Sequence, residues 1–322
     1  MPLSDLTLAE LTEFRPEVSE PAGFDAFWAD TLAEARGVPQ RLELASVEGP
    51  VTQLQVEDLT FRGFGGDQVR AWVIRPRSAG RLPAVVEFIG YNGGRGLPAE
   101  HLGWASAGFV HVVMDTRGQG SGWGAGGGTP DPHGSGPAFE GFMTRGITDP
   151  RDYFYRRVFT DAVRLVEAVR TLDFVDADRV AVTGGSQGGG ITLAVAGLLG
   201  DAIVGAMPDV PFLCHFRRSV ELTPDRPFTE VTKYLSVHRD EVDAVFDTLS
   251  HFDGAVFAGR AAAPALFSVG LMDTIVLPSS VFAAYHRYAA ADREIAVYEF
   301  NGHEGGGMFH WQRQVEWLRE RL

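Results

Sequence analysis

One short run in the middle of the chain constrains the fold more than any other feature. The residues Val180–Thr183 are typical of a buried strand, and Ile191–Leu199 predict a buried helix. Between them stands Gly184-Gly185-Ser186-Gln187-Gly188. A strand that turns this abruptly into a helix needs small residues where the two backbones approach each other. We therefore expect a strand–turn–helix unit with Ser186 exposed at the turn.

The rest of the chain repeats this alternation of strand and helix. Most of the predicted strands are followed by helical periodicity, which predicts an α/β fold with a mostly parallel central sheet and helices on both faces. The strand-like runs are Ala84–Ile89, Val110–Met114, Val180–Thr183, Ile203–Met207, Ala265–Val269 and Ile295–Phe300. Before them, Leu54–Phe61 and Val69–Pro76 flank a glycine-rich turn and predict an antiparallel N-terminal hairpin.

We interpret residues 1–322 as a single domain with three additions. Residues 1–40 predict an N-terminal helical arm, because Phe24, Phe27, Trp28, Leu32 and Ala35 recur at helical spacing. Residues 115–150 form a Gly/Pro-rich loop too long for a routine connection, which indicates a functional or assembly role. Residues 211–255 carry mixed helical patterns and predict a helical insertion over the sheet.

Composition excludes several classes of function. The formal net charge is −14, which disfavours binding to nucleic acid or to an anionic membrane. Lys233 is the only lysine, so a P-loop is excluded and Schiff-base chemistry has one candidate position. Cys214 is the only cysteine, which excludes an internal disulfide and a cysteine-based zinc site. No secretory signal or membrane-spanning run is evident, and we expect a cytoplasmic protein.

A serine hydroxyl at such a turn is a weak nucleophile unless a histidine and a carboxylate activate it. In folds with this turn the partners follow in the order serine, acid, histidine, each on a loop after a later strand. Asp273 follows the predicted strand Ala265–Val269, and His303 follows Ile295–Phe300. The sequence therefore predicts a catalytic triad of Ser186, Asp273 and His303.

A second acid and a second histidine compete for these roles. Asp209 follows the strand immediately after the serine turn and is an alternative acid. His310 lies seven residues beyond His303, and two histidines this close in sequence are candidate metal ligands. Three glycines between them make a shared helical face improbable, so we expect no metal and interpret His310 as a helix residue.

Two further patterns have plainer interpretations. Cys214-His215 resembles a catalytic dyad, but side chains adjacent in sequence rarely face each other, and we expect a buried cysteine. Gly122–Gly127 matches the spacing of a dinucleotide-binding loop. A proline-rich stretch follows it instead of a helix, so no such cofactor is expected.

An acyl-transfer site also needs N–H donors for the negative oxygen of its tetrahedral intermediate. One donor is expected from Gln187, the residue after the nucleophile. The second is expected from the loop after an early strand, where we select the backbone N–H of Tyr91. The Tyr91 ring is also placed to form a wall of the acyl pocket.

Three motifs in order resemble the cephalosporin C deacetylase and acetyl xylan esterase family, carbohydrate esterases of the α/β-hydrolase fold. They are Arg117-Gly118-Gln119, Gly184-Gly185-Ser186-Gln187-Gly188 and His303-Glu304. The resemblance implies the same triad, Tyr91 and Gln187 as oxyanion donors, and supporting roles for Arg117 and Glu304. It also implies hydrolysis of acetyl esters of small carbohydrates or related compounds, no cofactor, and a homohexamer.

The chain departs from the family pattern at two places. Ile89-Gly90-Tyr91 stands where the family usually has His-Gly-Tyr, and Val276-Leu277-Pro278-Ser279 replaces a Cys-Pro-Pro-Ser string. Both changes alter walls near the site and leave the triad untouched. A peptidase or aminoacyl hydrolase of the same fold, and a non-catalytic relative, are the alternatives to an esterase.

Overall fold

The computed structural model describes residues 5–78, 80–134, 136 and 140–322. Within them, nine strands form one sheet in the order β1-β2-β3-β5-β4-β6-β7-β8-β9. The strands are β1 (Glu43–Ser46), β2 (Leu54–Arg62), β3 (Gln68–Pro76), β4 (Leu82–Phe88), β5 (Val110–Met114), β6 (Val175–Gly185), β7 (Gly205–Asp209), β8 (Ala265–Gly270) and β9 (Arg293–Tyr298).

The strand directions confirm the predicted mostly parallel sheet with an antiparallel N-terminal hairpin. From β5 through β4 to β9, every neighbouring pair is parallel. The predicted hairpin is β2 and β3, which pair antiparallel, and β3 joins the parallel part through an antiparallel pairing with β5. The edge strand β1 was not predicted, because all four of its residues are exposed and carry no buried face to detect.

Helices cover both faces of this sheet, as predicted. Successive residues of one strand point to opposite faces. Val86 of β4 therefore belongs to the core beneath the helices Phe154–Val169 and Gln187–Leu199, whereas its neighbour Val85 packs with aromatic residues of the helices Leu102–Ser106 and Gly307–Arg319. The helices are α1 (Leu8–Glu13), α2 (Phe24–Arg36), α3 (Leu102–Ser106), α4 (Phe154–Val169), α5 (Gln187–Leu199), α6 (Phe216–Leu222), α7 (Phe228–Val237), α8 (Val242–Ser250), α9 (Gly254–Ala258), α10 (Pro278–Arg287) and α11 (Gly307–Arg319).

The N-terminal segment folds as two helices separated by a non-helical stretch, residues 14–23. The apolar spacing detected in the sequence belongs to α2, where Phe24, Trp28, Leu32 and Ala35 are buried. The Trp28 indole N–H donates to the carbonyl of His251, 3.0 Å away, and so ties this arm to the end of α8. The first four residues of the predicted arm lie outside the described part of the chain.

The long loop and the insertion differ in their internal structure. Between residues 115 and 150, the described positions hold neither helix nor strand; Ser135 and residues 137–139 lie outside the description. The segment 211–255 instead contains α6, α7 and α8 and the start of α9. The interpretation of residues 1–322 as a single domain stays a prediction.

None of the helices in the described ranges is both long enough and apolar enough to cross a membrane. The parallel strands instead bring functional side chains together. Because β4, β6, β7, β8 and β9 run in one direction, the loops after them meet at one edge of the sheet. Those loops carry Tyr91, Ser186, Asp273 and His303, and Asp209 is the last residue of β7 at the same edge.

Candidate active site

Ser186 occupies a sharp turn between β6 and α5. Its φ of 56° and ψ of −117° lie in a region that residues other than glycine rarely adopt. Such a conformation costs about 1–3 kcal/mol and persists only where the surroundings enforce it. Here the Ser186 N–H donates to the carbonyl of Asp209 and the Ser186 carbonyl accepts from the N–H of Phe212, both at 2.9 Å.

The two flanking glycines of the motif are required by close backbone contacts. A Cβ on Gly184 would lie 2.5 Å from the backbone of Gly188, and one on Gly188 would lie 2.0 Å from the Phe88 carbonyl oxygen. Both distances are far shorter than a carbon–carbon or carbon–oxygen contact permits. The spacing of glycine, serine and glycine thus allows β4, β6 and α5 to meet below Ser186.

Asp273 and His303 form the predicted acid–histidine pair. The Asp273 carboxylate is fully buried, and its Oδ2 lies 2.8 Å from His303 Nδ1. Its other oxygen accepts the backbone N–H groups of Ile275 and Val276, at 2.8 and 2.9 Å. These bonds hold a charged acceptor against Nδ1, which directs Nε2 of the imidazole away from the carboxylate.

Ser186 and His303 line the same cleft, which has a volume of about 940 Å³. His303 is 29% exposed, so its free edge is accessible from this cleft. Neither the Ser186 hydroxyl nor His303 Nε2 forms a hydrogen bond within the described part of the chain. Catalytic hydrogen bonds are often incomplete in a site without substrate and tighten when it binds.

Asp209 and His310, the alternative acid and the second histidine, lie close together as a second pair. His310 lies on α11, as expected, and its Nε2 is 3.0 Å from Asp209 Oδ1, although without hydrogen-bond geometry. Its Nδ1 is 3.0 Å from the Tyr298 hydroxyl, and Gln314 donates to both oxygens of Asp209. His310 is buried, so both of its ring nitrogens face protein groups.

Two backbone N–H groups fit the predicted oxyanion site. Gln187 is the first residue of α5, where helix N–H groups have no acceptor within the helix. The N–H of Tyr91 likewise has no acceptor among the described residues. The Tyr91 carbonyl is occupied, because the Trp123 indole N–H donates to it at 2.7 Å. Tyr91, Ser186 and Trp123 all line the cleft.

A buried amide network connects these two donors, and sequence reasoning did not assign it. Gln119 and Gln187 exchange hydrogen bonds of 2.9 and 3.1 Å through their side chains. The Gln119 side-chain oxygen also accepts the N–H of Asn92 at 2.8 Å, while the Gln187 amide donates to Ile89. Tyr155 completes the network by donating to Gln187. The signal was present in the sequence, since Gln119 ends the Arg-Gly-Gln motif.

Arg117 lies outside the cleft and fixes the long loop instead. Its guanidinium, fully buried, forms two bonds with Asp161 of 2.6 and 2.8 Å and one with Asp67 of 2.8 Å. Burial alone lowers the pKa of Arg117, but the surrounding carboxylates outweigh burial and raise that pKa. Arg117 therefore stays charged and anchors the segment that carries Gln119.

Glu304 stabilises the turn that carries His303. Its two oxygens accept hydrogen bonds from the Asn301 side chain and from the N–H of Gly302. The bond from Asn301 is the main reason that the pKa of Glu304 lies below its ordinary value. Glu304 also lines the cleft.

A tyrosine–glutamate pair was also missed by sequence reasoning. Both carboxylate oxygens of Glu230 lie within 2.9 Å of the Tyr91 hydroxyl. No short-range pattern could reveal this pair, because 139 positions separate the two residues. Only the fold brings α7 against the loop after β4.

The other candidates have structural surroundings. The thiol of Cys214 is buried, and burial raises its pKa well above the ordinary value, so the thiolate needed for nucleophilic attack is disfavoured. The Gly122–Gly127 segment belongs to the long loop. Across the described residues, no group of three or more potential metal ligands is clustered.

The sheet order, the strained serine turn and the acid–histidine pair on later loops define an α/β-hydrolase fold with a nucleophile elbow. Comparison with known proteins then identifies the family. The chain belongs to the acetyl xylan esterase (AXE1) family, which matches residues 1–321, and is accordingly a carboxylic ester hydrolase.

Two relatives of known structure and a further curated relative resemble the chain over nearly its whole length. An acetyl xylan esterase from Paenibacillus sp. R4 is 36% identical with a TM-score of 0.92, covering 98% of this chain and 100% of that one. Acetyl xylan esterase 1 from Thermoanaerobacterium sp. JW/SL YS485 is 34% identical with a TM-score of 0.88, covering 97% and 99%. Acetyl esterase Axe7A of Xylanibacter ruminicola is 22% identical over 96% of this chain and 69% of its own length.

Proposed function

We propose that the protein is a serine esterase that removes acetyl groups from small carbohydrates or related compounds, with Ser186, His303 and Asp273 as its triad. One observation carries this proposal. The 2.8 Å bond between Asp273 and His303 stands at the same cleft as a serine held in a strained nucleophile turn. Family membership and the names of the relatives support the acetyl ester as substrate.

The reaction follows from the order of these groups. Ser186 Oγ attacks the ester carbonyl while His303 Nε2 takes its proton, and Asp273 stabilises the imidazolium that forms. The tetrahedral intermediate collapses as His303 returns the proton to the departing alcohol, which leaves an acetyl group on Ser186. Water then attacks this acyl-enzyme with the same proton transfers and releases acetate.

The negative oxygen of each tetrahedral intermediate is stabilised by the N–H groups of Tyr91 and Gln187. Removing one such donor typically lowers the rate about 10²–10³-fold. The amide network around Gln119 keeps the two donors in register, and Arg117 holds the loop from which Gln119 extends. Glu304 supports the reaction by fixing the turn that presents His303.

Substitution of the nucleophile tests this proposal. Ser186→Ala should abolish hydrolysis of p-nitrophenyl acetate while the thermal unfolding transition remains. Ser236→Ala, which changes an exposed serine of α7, is the matched control and should retain wild-type turnover. Full activity of the Ser186 variant would contradict the assignment.

The substrate range and the assembly need separate measurements. A panel of acetate, propionate and butyrate esters beside acetylated sugars tests the acyl and alcohol preferences; faster turnover of chromogenic peptides would instead favour a peptidase. We also propose that the protein is cytoplasmic, as expected from the sequence, and that it is a homohexamer, which the motif resemblance alone supports. Light scattering after size exclusion tests the assembly, and a mass other than that of six chains would contradict it.

A further inference from the structure

The hydroxyl of Tyr91 is held by two distant parts of the chain. Its oxygen lies 2.9 and 2.8 Å from the two carboxylate oxygens of Glu230, on α7. The same oxygen accepts the N–H of Phe142, from the long loop, at 2.6 Å. Met143 adds a bond from its N–H to Glu230, at 3.2 Å. The loop after β4, the long loop and the insertion therefore meet at one phenol oxygen.

These contacts leave the pair little freedom to rearrange. Glu230 is 2% exposed. Behind it, a Cβ on Gly141 would lie 2.1 Å from its Oε1, so this backbone packs directly against the carboxylate. The Tyr91 ring packs at steep angles on the rings of Phe142 and Phe212, with centroids 5.8 and 6.1 Å apart. A tyrosine fixed at both its ring and its hydroxyl has a fixed backbone position as well.

The peptide after the Tyr91 Cα is fixed independently. Its carbonyl accepts from Trp123 and the N–H of Asn92 donates to Gln119. Among the described residues, the Tyr91 N–H that precedes this peptide has no acceptor, and it is the group proposed to bind the oxyanion. The direction of the Tyr91 N–H depends on the position of the Tyr91 Cα. That Cα is held on one side by the peptide bound to Trp123 and on the other by the side chain bound to Glu230.

We propose that Glu230 is a positioning residue for ester hydrolysis, acting through the Tyr91 hydroxyl to aim the Tyr91 N–H at the oxyanion. The proposal rests on the serine esterase function proposed above. It gives the insertion a role in catalysis, because α7 supplies the carboxylate that orients a donor on the loop after β4. Hydrogen bonds to a carboxylate are stronger than those between neutral groups, which suits a contact that must restrict a loop.

A buried site favours such an arrangement. Burial raises the pKa of Tyr91, and the nearby carboxyl of Glu230 raises it further, so the phenol keeps the proton that it donates. An oxyanion donor acts only when it is already in place as charge develops. Displacement of a catalytic group by about 1 Å can lower the rate roughly 10²-fold. A residue that acts through the Tyr91 side chain can therefore change kcat.

The test is a double-mutant cycle on kcat and KM with p-nitrophenyl acetate, using Glu230→Ala, Tyr91→Phe and the double variant. Each single variant should lower kcat about tenfold to a hundredfold with little change in KM, because the donor acts on the transition state. The double variant should be no slower than the slower single variant. Glu230→Gln, which keeps an acceptor for the phenol, should recover most of kcat.

The chain offers a matched control. Tyr234 donates to Glu241 within the same insertion, and neither residue lines the cleft. Tyr234→Phe and Glu241→Gln should leave kcat within a few-fold of wild type. A comparable loss of kcat in this pair would mean that loosening the insertion is enough, and would overturn the proposal.

Hydrogen–deuterium exchange gives a readout that does not depend on turnover. Glu230→Ala should speed exchange of the amides around residues 90–93, and Glu230→Gln should restore most of the protection. Three results would each overturn the positioning role. They are unchanged exchange at these amides, losses of kcat in Glu230→Ala and Tyr91→Phe that multiply in the double variant, and a loss seen only in KM. Failure of wild-type enzyme to hydrolyse any ester would count against the proposed function, whereas the exchange result would still decide whether Glu230 orders the loop.

Discussion

Two aspartate–histidine pairs stand at neighbouring strand ends, and they differ in whether the imidazole is accessible from the cleft that contains Ser186. Asp273 meets His303 at 2.8 Å, and Asp209 meets His310 at 3.0 Å. His303 is partly exposed in the cleft that contains Ser186, whereas His310 is buried and its second nitrogen faces Tyr298. The proposed catalytic histidine is therefore distinguished from His310 by its accessibility, not by its pairing with an aspartate.

The two carboxylates also differ in their hydrogen-bond partners. Asp273 accepts two backbone N–H groups besides His303, which suits a fixed anion behind an imidazole. Asp209 is bound by the amide of Gln314 and its own backbone carbonyl accepts from Ser186. The second pair thus lies at the base of the serine turn, whereas the first is the pair proposed to activate the serine hydroxyl.

Replacing the aspartate of each pair with asparagine should give the largest difference in kcat between the two pairs. Asp273→Asn leaves the shape intact but removes the charge that orients His303, and should lower kcat about 10³–10⁴-fold. Asp209→Asn should lower kcat by no more than a few-fold. Steady-state kinetics on p-nitrophenyl acetate measures both, and the reverse ranking would transfer the acid role to Asp209.

The histidines should separate in stability as well as in activity. His310→Gln removes a buried ring between Asp209 and Tyr298, and a buried polar group left without its partner costs about 1–3 kcal/mol of unfolding free energy. His303→Gln should abolish turnover with a smaller effect on stability, because that ring is partly exposed. Urea unfolding followed by tryptophan fluorescence measures the difference. Equal destabilisation by the two variants would contradict this comparison.

The smallest effect is expected at the turn that presents His303. Glu304→Gln retains one acceptor for the bonds from Asn301 and Gly302 but loses the charge, and should lower kcat by a few-fold. The pKa of Glu304 is depressed in the folded protein, so its contribution to holding the turn is present above the ordinary carboxyl pKa and fades as pH falls. The deficit of the variant relative to wild type should therefore shrink in acid. A deficit that grows toward low pH would contradict the role of this charge.

The contrast also explains what the sequence could predict. Ser186, Asp273 and His303 each follow a strand recognisable from its own residues, and their order along the chain is the order that the fold requires. The sequence left Asp209 open as an alternative acid, because its contact with the buried His310 depends on the packing of α11 against the sheet. Likewise β1, with four exposed residues, has no pattern of its own and exists through its pairing with β2.

The supporting residues were less predictable for the same reason. Arg117 and Glu304 could be named because motifs contain them, but their partners Asp161 and Asn301 carry no local signal. Glu230 acts on Tyr91 across 139 positions, and only the tertiary fold defines that contact. Local backbone geometry is thus predictable from sequence, whereas long-range side-chain bonds around the loop after β4 are not.

Trapping the acyl-enzyme tests the central claim most directly. Wild-type protein is mixed with excess p-nitrophenyl acetate, quenched in acid within the first turnovers, digested and sequenced by mass spectrometry. The account predicts one acetyl group on the peptide containing Ser186 and none on that peptide from Ser186→Ala or His303→Gln. An acetyl group carried by another residue, while Ser186 remains unmodified during turnover, would contradict it.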